Sequence, residues 1–388
     1  MADELIGIIN NLGIPTEAFL VIVILAFLAI GAVIVIVASR PVLDIYPYLQ
    51  PNARVRARKG RLFNEKQLSE IIEADNIEEV TNYLRGFKDY ADYVDKYPIE
   101  KALDVQLAES YNLISRIAPN SVKDTFSLLA KKVDISNIKS LIAAKEMGLS
   151  REETLNFLIP VGNHYETFEQ LADVKTVSDV INGLDGTEYA TLLEDALPAY
   201  NESKMVLPLE SALDKYFLES ILSKSAVATD NNSRLLHEFI GTQVDVANLK
   251  LIIRAKNDNL SFDEAGSFLI KSGYQIREWK MKDLLESDSV SDIVGRLEGT
   301  DYHEVLSESL PEYNEKNSLE VLEKALDDLV YQTAKSLSIQ NTLGVGPIIS
   351  YLTKKENETK NLKLILRAKR DVNFSISEIQ EMLVWSPL

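Results

Sequence analysis

The residue types that most often perform chemistry in proteins are few in this chain and lie far apart. It has no cysteine, which excludes thiolate metal sites, disulfides and cysteine nucleophiles. The three histidines, His164, His237 and His303, fall in different segments, and His237-Glu238 has no second histidine four residues after the first, as a metalloprotease helix requires. Residues 344–347 (GVGP) lack the lysine and hydroxyl residue of a phosphate-binding loop. The sequence therefore predicts no catalytic, cofactor-binding or metal site.

The balance of charges excludes a further class of function. The 388 residues include 41 Lys and Arg against 59 Asp and Glu, a formal net charge of −18. Nucleic-acid binding depends on clustered Lys and Arg that neutralise phosphates, so we expect no nucleic-acid partner, and no motif indicates a small-molecule substrate. Five basic residues nevertheless lie close together: Arg54, Arg56, Arg58, Lys59 and Arg61.

This basic cluster has two interpretations. On a helix, Arg54, Arg58 and Arg61 share one face. In the first interpretation, they contact anionic lipid headgroups or acidic loops of a membrane partner. In the second, the cluster forms salt bridges with the acidic body of its own chain. Both interpretations remain open at the level of the sequence.

Residues 18–39 (AFLVIVILAFLAIGAVIVIVAS) carry no charge and predict a transmembrane helix. A helix of this length measures about 33 Å, enough to cross a bilayer. The alternative is a cleaved signal peptide, but such peptides have an apolar run of about 7–15 residues after a basic segment, whereas an acidic segment precedes this run. Lys and Arg follow the run and none precedes it, so the positive-inside rule predicts a single-pass protein of the cell membrane with a cytoplasmic body.

Residues 40–51 (RPVLDIYPYLQP) connect this helix to the body. Pro41, Pro47 and Pro51 each lack a backbone N–H, and each proline ring clashes with the preceding helical turn. The segment therefore predicts a stiff, extended tether of at most about 40 Å rather than a continuous helix.

A helix pair recurs along the body. NIKSLIAAK begins at Asn137, NLKLIIRAK at Asn248 and NLKLILRAK at Asn361, at spacings of 111 and 113 residues. Apolar residues at helical intervals predict an amphipathic helix over each segment. A capping box then predicts the start of a second helix in each copy, at Ser150/Glu153, Ser261/Glu264 and Ser375/Glu378. A weaker copy begins at Asn52, with Asn64 and Gln67 at the second helix start.

A second element lies between these pairs and occurs three times. It contains a Leu-x-Gly segment followed by Ala-Leu-Asp, at 84–86 with 102–104, 184–186 with 212–214, and 297–299 with 325–327. Four helix pairs and three such elements leave the first and last pairs at the chain ends. These two pairs either complete one domain each or pack near one another and close the body.

Strand signals are weak, so the body is predicted to be all-α with three related units of about 110 residues. The predicted boundaries are a short extracytoplasmic N-terminus (1–17), the transmembrane helix (18–39), the tether (40–51), unit 1 (52–130), unit 2 (131–242) and unit 3 with the C-terminal helix pair (243–388).

The opening NARVRARKGRL, the recurrent Ala-Leu-Asp and Leu-Pro-x-Tyr segments and the final NLKLILRAK together resemble the C subunits of archaeal-type (A/V-type) ATP synthases, which are similar to the d subunits of vacuolar ATPases. The resemblance covers residues 46–388, and its specificity lies in the combined pattern. It implies an all-α funnel of three similar domains around a pseudo-threefold axis. Typical members begin close to the NARVRA segment, whereas this chain adds about 45 residues that contain the apolar stretch.

The resemblance also implies a function. It predicts a non-catalytic rotor subunit that couples the membrane ring of proteolipid subunits to the central stalk, so that proton or sodium flow drives ATP synthesis. The expected partners are the ring, the stalk and the lipid bilayer, without a cofactor, and the basic cluster becomes a candidate membrane or ring contact. The alternative is a membrane-anchored helical-repeat scaffold unrelated to rotary ATPases.

Overall fold

A computed structural model describes residues 15–227, 230–258, 266, 268–370 and 374–384, which form helices without a β-strand. The predicted all-α class is confirmed. The chain divides into two compact units, Met1–Leu49 and Gln50–Leu388, and we call the second unit the body. The predicted segment 1–17 lies almost entirely outside the described residues.

The first helix, α1, spans Thr16–Lys59 without interruption. The extended tether predicted over 40–51 is therefore wrong. A proline removes one backbone hydrogen bond, but its φ of about −65° is a helical value, so a helix with favourable residues on both sides continues through it. Among the described residues, α1 is the helix long and apolar enough to cross a membrane, and none of its apolar stretch is buried within the protein.

Six long helices of the body contact one another in a closed cycle. Each contacts the next in chain order, and the last contacts the first. They are α5 (Ile99–Ile117), α7 (Leu129–Glu146), α12 (Leu207–Ser225), α13 (Asn231–Asn257), α17 (Leu319–Gln340) and α18 (Gly346–Arg370). The body therefore closes on itself through the contact between α5 and α18.

Twelve shorter helices complete the described structure. They are α2 (Glu65–Glu73), α3 (Ile77–Arg85), α4 (Ala91–Val94), α6 (Asn120–Ser127), α8 (Arg151–Phe157), α9 (Tyr165–Leu171), α10 (Val177–Asn182), α11 (Ala190–Ser203), α14 (Glu278–Leu285), α15 (Val290–Arg296), α16 (Asp301–Lys316) and α19 (Ile376–Met382). The predicted capping boxes at Asn64, Ser150 and Ser375 are confirmed. Each of these side chains accepts from the backbone N–H of the residue three positions later, and the side chain of that residue accepts from the N–H of the first. The box predicted at Ser261 lies outside the described residues.

One hydrophobic core joins the two ends of the body. Leu68, Ile71 and Ile72 of α2 pack in the same cluster as residues 362–366 of α18 and Ile379 of α19. The first and last helix pairs therefore pack together, which confirms one of the two predicted arrangements. The C-terminal pair, predicted to belong with residues 243–388, contributes its apolar face to this core instead. We call α2–α5 with α18 and α19 the split copy.

Two further sets of helices repeat this packing without a break in the chain. In the last copy, α13–α17, one core extends from Val246 to Leu326. In the middle copy, α7–α12, the long helices α7 and α12 contact each other and the short helices between them, and the equivalent apolar residues are buried: Ile138, Leu141, Leu158, Phe168, Val180, Leu184, Leu193 and Leu213.

Leu366 tests the importance of the core of the split copy. Its side chain is fully buried there, so Leu366→Ala removes buried methyl groups and leaves a cavity. We expect the variant to lower the free energy of unfolding by about 2–5 kcal/mol. The measurement is chemical denaturation followed by circular dichroism. The control is Leu207→Ala, because Leu207 is 50% exposed and its truncation is expected to change stability by less than about 0.5 kcal/mol.

Candidate functional site

The asparagine that opens each predicted repeat segment holds the backbone of a residue further along the chain. Nδ2 of Asn248 donates to the carbonyl of Ile270 at 2.8 Å, and Oδ1 accepts from its N–H at 2.9 Å. Asn137 forms the same two hydrogen bonds with Ile159, donating to its carbonyl at 3.0 Å and accepting from its N–H at 2.7 Å. Asn361 likewise donates to the carbonyl of Val384 at 3.1 Å and accepts from its N–H at 3.2 Å. All three asparagines are buried, so each satisfies two backbone groups that would otherwise lack partners.

A buried carboxylate lies three residues before each of these asparagines. In the last copy, Oδ2 of Asp245 accepts from the N–H groups of Gln275 and Ile276 at 2.6 and 3.2 Å and from the Tyr302 hydroxyl at 2.8 Å. In the middle copy, Oδ1 of Asp134 accepts from the N–H of Asn163 at 2.9 Å. Each of these two carboxylates therefore fixes a loop backbone, at residues 163–164 in the middle copy and 275–276 in the last copy.

The tyrosines that face these carboxylates are also buried. Burial, followed by the negative charge of Asp245, raises the pKa of Tyr302. Burial and the charge of Asp134 likewise raise the pKa of Tyr189, although within the described part of the chain its hydroxyl has no hydrogen-bond partner. Both tyrosines therefore remain protonated, and the Tyr302 hydroxyl serves as a donor.

One spacing in the sequence indicates these carboxylates, although it belongs to none of the motifs described above. A glycine follows each buried aspartate after 28 residues, as Gly162 follows Asp134 and Gly273 follows Asp245. A Cβ atom at Gly273 would lie 1.8 Å from Oδ1 of Asp245, and one at Gly162 would lie 2.4 Å from Oδ1 of Asp134. Only glycine allows the loop backbone to approach the carboxylate this closely.

The lysine two positions after each asparagine pairs with the aspartate of an Ala-Leu-Asp segment. Lys139 pairs with Asp214 at 2.6 Å, Lys250 with Asp327 at 2.5 Å and Lys363 with Asp104 at 2.5 Å. Although burial opposes it, the charges of Lys250 and Lys360 lower the pKa of Asp327. The two sequence motifs are therefore two sides of one contact between long helices.

In the split copy, the equivalent of the buried aspartate is Glu358. Its Oε2 accepts from the N–H of Phe63 at 2.6 Å, and its Oε1 accepts from the Tyr90 hydroxyl at 2.5 Å. Lys355 donates to Oε1 at 2.7 Å and lies 4.4 Å from the centre of the Tyr90 ring. Lys355 is only 1% exposed, and burial lowers its pKa, against the attraction of Glu358. The ion pair itself lies within α18, and the hydrogen bonds that its carboxylate accepts from Phe63 and Tyr90 join the first and last parts of the body.

Most of the basic cluster contacts the body itself. Arg56 donates to the carbonyl of Thr342 at 2.6 Å, and Lys59 donates to the Ser350 hydroxyl at 2.8 Å. Arg61 forms an ion pair with Asp89 at 2.7 Å. Arg61 therefore forms a salt bridge of the kind that the second interpretation predicts, whereas Arg56 and Lys59 bind uncharged groups of the body.

Two members of the cluster remain. Arg58 is half-buried and lies beside the Tyr351 hydroxyl. Arg54 is exposed, and the described residues give it no ion pair or hydrogen bond. Arg61 does not share a helical face with these two, because α1 ends at Lys59.

The residues considered for catalysis lie apart in the structure. Nδ1 of His237 lies 2.8 Å from the Ser225 hydroxyl, and Nδ1 of His303 donates to the Val294 carbonyl at 2.9 Å. In the described part of the chain, no group of three His, Cys, Asp or Glu residues is arranged to hold a metal. Residues 344–347 form a turn and the start of α18, where the Val345 N–H donates to Asn232 at 3.0 Å.

Glu358→Gln tests the buried ion pair. The substitution removes the negative charge and leaves the Lys355 ammonium buried without compensation, so we expect the free energy of unfolding to fall by about 3–5 kcal/mol. The double variant Lys355→Met/Glu358→Gln lacks the buried charge and should recover much of this loss. Denaturant unfolding measures both. The exposed Glu152→Gln is the matched control, and equal effects of Glu358→Gln and Glu152→Gln would contradict the role given to the pair.

Asp245 predicts a pH dependence. Burial raises its pKa to about 6, even though several donors surround it. A carboxyl group whose folded pKa lies above its unfolded value of about 3.9 stabilises the folded state fully below that value and loses this contribution as the pH rises through about 6. Between about pH 4 and pH 7, we expect wild type to lose about 1–3 kcal/mol of unfolding free energy relative to Asp245→Asn. The exposed Asp185→Asn should show no such difference.

Known proteins share this sequence over nearly its full length. The A-type ATP synthase C subunit of Methanobrevibacter smithii is 55% identical over 384 residues, covering 99% of this chain and 100% of the relative. The C subunit of Methanothermobacter thermautotrophicus is 51% identical with the same coverage. That of Pyrococcus horikoshii is 29% identical over 84% of this chain and 87% of the relative. The first two alignments include the N-terminal extension, so it is not peculiar to this chain.

A family model supports the same assignment. The model described as ATP synthase (C/AC39) subunit matches residues 51–382, which is most of the body. The match begins one residue before Asn52 and includes the three asparagines, their neighbouring carboxylates and the ion pairs described above, although it ends two residues before Val384. The chain therefore belongs to the C/AC39 family of ATP synthase subunits.

Proposed function

We propose that this chain is the non-catalytic subunit that couples the membrane ring of an A/V-type ATP synthase to its central stalk. In this role, proton or sodium flow turns the ring, and the body transmits the rotation to the catalytic headpiece. The body does no chemistry itself. Its partners are the proteolipid subunits of the ring, the subunits of the central stalk and the bilayer. The relatives are named as C subunits of A-type ATP synthases, which supports membership of such a complex.

The closed cycle of six long helices is the observation that carries this proposal. A part that transmits torque must resist deformation, and a body whose last helix packs against its first has no free end at which to open. The lysine–aspartate contact recurs three times around this cycle. Three similar domains around a pseudo-threefold axis account for this recurrence. One of these domains is the split copy, so its residues come from both of the units predicted at 52–130 and 243–388.

The apolar part of α1 provides the membrane attachment in this proposal. Apart from the partly buried Val23, its side chains are exposed along residues 20–38, and burying so much apolar surface in lipid is strongly favourable. The basic residues that follow the span favour a cytoplasmic body. Of the basic cluster, Arg54 is the member left for a contact with the ring or with anionic headgroups, since Arg56, Lys59 and Arg61 contact the body.

The coupling role predicts the effect of removing the subunit. We expect an ATP synthase complex assembled without this chain, in liposomes, to retain ATP hydrolysis by the headpiece but to lose nearly all hydrolysis-driven ion uptake. Fluorescence quenching measures proton uptake, and radioactive sodium measures sodium uptake. Undiminished ion uptake without the subunit would refute the coupling role.

Two controls separate the parts of this proposal. A chain lacking residues 1–39 tests the membrane attachment alone, and restored ion uptake with this variant would assign coupling to the body. Native purification tests the alternative of an unrelated membrane-anchored scaffold. A protein that couples ring and stalk is recovered with headpiece and ring subunits in fixed stoichiometry, whereas a scaffold is not.

A further inference from the structure

The split copy contains a cleft where the other copies contain a loop. In the middle copy, a short loop connects Ile159, which Asn137 grips, to Asn163, which donates to the buried carboxylate. In the split copy, Asn361 binds the backbone of Val384, and the N–H of Phe63 donates to the buried carboxylate of Glu358. Val384 and Phe63 come from opposite ends of the body. These two residues line one cleft of about 250 Å³.

Asn357 lines this cleft and carries an unsatisfied donor. Its Nδ2 atom is buried and has no hydrogen-bond partner among the described residues. Asn357 directly precedes the buried Glu358, and the residues that directly precede the other two buried carboxylates are Val133 and Val244, both buried. A polar side chain therefore replaces an apolar one at this position only in the copy that has the cleft. A buried donor without an acceptor destabilises the folded protein, and a bound acceptor relieves this cost.

Lys354 shows the same departure at a second position. It lies four residues before the buried carboxylate and lines the cleft. The equivalent residues in the other copies are Ala130 and Gly241, which have no charge. In the last copy, a Cβ atom at Gly241 would lie 2.9 Å from Cβ of Tyr274, so the connecting loop itself occupies this space. In the split copy, the equivalent space is part of the cleft, and Lys354 lines it.

The cleft has an excess of positive charge. Lys59 lines it together with Lys354, and burial, Lys354, Arg56 and Lys335 together lower the pKa of Lys59. Of the two carboxylates in the lining, Glu358 already accepts from Phe63, Tyr90 and Lys355, and Glu65 lies exposed in the first turn of α2. Because Lys355 neutralises Glu358, the two lysines exceed the remaining carboxylate, Glu65, by one charge, and this favours an anion in a chain whose net charge is −18.

We propose that this cleft, lined by Lys59, Lys354 and Asn357, binds a short acidic peptide segment of another subunit of the ATP synthase complex. The loops of the other copies indicate that the backbone of a few residues fits this place. The two ammonium groups and the amide of Asn357 are donors, and a carboxylate accepts from all three. The proposal rests on membership of the complex and not on the coupling role, so the ion-uptake experiment and the one below can fail independently.

Zero-length cross-linking of the purified ATP synthase complex tests this proposal. A carbodiimide joins an amine to a carboxylate only where the two are in contact, and mass spectrometry identifies the joined peptides. We expect Lys354 or Lys59 to be linked to an aspartate or glutamate of a different subunit. Lys123, which is exposed in α6, is the control and should give no such link to the same carboxylate. Links from the two cleft lysines only to residues 385–388 of the same chain, or no links between subunits, would overturn the proposal.

Asn357→Val separates binding from stability. Valine occupies the equivalent position in the other two copies, so we expect the melting temperature of the variant to be equal to or above that of wild type. The same substitution removes a donor to the bound carboxylate, so the yield of the cross-link at Lys354 should fall several-fold. An unchanged yield would show that Asn357 does not contact the ligand and would contradict the proposed site.

Discussion

The carboxylate of Glu358 accepts hydrogen bonds from Phe63 and Tyr90, which precede it by 295 and 268 residues, and it neutralises the buried Lys355. Around this group, the apolar faces of the first and last helix pairs share one core. The closed cycle of long helices depends on this junction, because α5 and α18 belong to opposite ends of the body. Burying the charge pair of Lys355 and Glu358 within α18 is costly, but the ionised carboxylate accepts strong hydrogen bonds from the other end of the body.

The repeated contacts divide the work of folding between polar and apolar groups. In the middle and last copies, apolar side chains form the core, whereas an asparagine and a carboxylate fix the path of the connecting loop. Polar groups are suited to this task because they bind particular backbone atoms, and an apolar contact tolerates small shifts. The copies differ mainly where this loop is interrupted. There Lys354 replaces Ala130 and Gly241, and Asn357 replaces a valine of each other copy.

Local features of the sequence predicted local structure well. The capping boxes at Ser150 and Ser375 depend on groups three residues apart, so their patterns are visible in the sequence. The pairing of Lys363 with Asp104 was not predictable in the same way, because the partners are far apart in the chain. The extended tether predicted from the prolines was wrong. The backbone hydrogen bond lost at Pro47 did not outweigh the helical preference of the surrounding residues. The repeat spacing predicted that the first and last helix pairs either complete one domain each or pack near one another, and the shared core shows the second arrangement.

The junction between the first and last helix pairs also determines when the body can fold during its synthesis. Leu103 belongs to the same core as Leu362. The apolar faces of α2 and α3 therefore cannot be buried until α18 and α19, which the ribosome makes last, have been synthesised. At about 5–20 residues per second, the intervening stretch of about 260 residues takes about 13–52 s to synthesise. During that interval, the nascent chain exposes an incomplete core while its N-terminal helix, in the role proposed above, enters the membrane. A protein with this topology depends on chaperones or on rapid packing of its middle copy to prevent aggregation in the meantime.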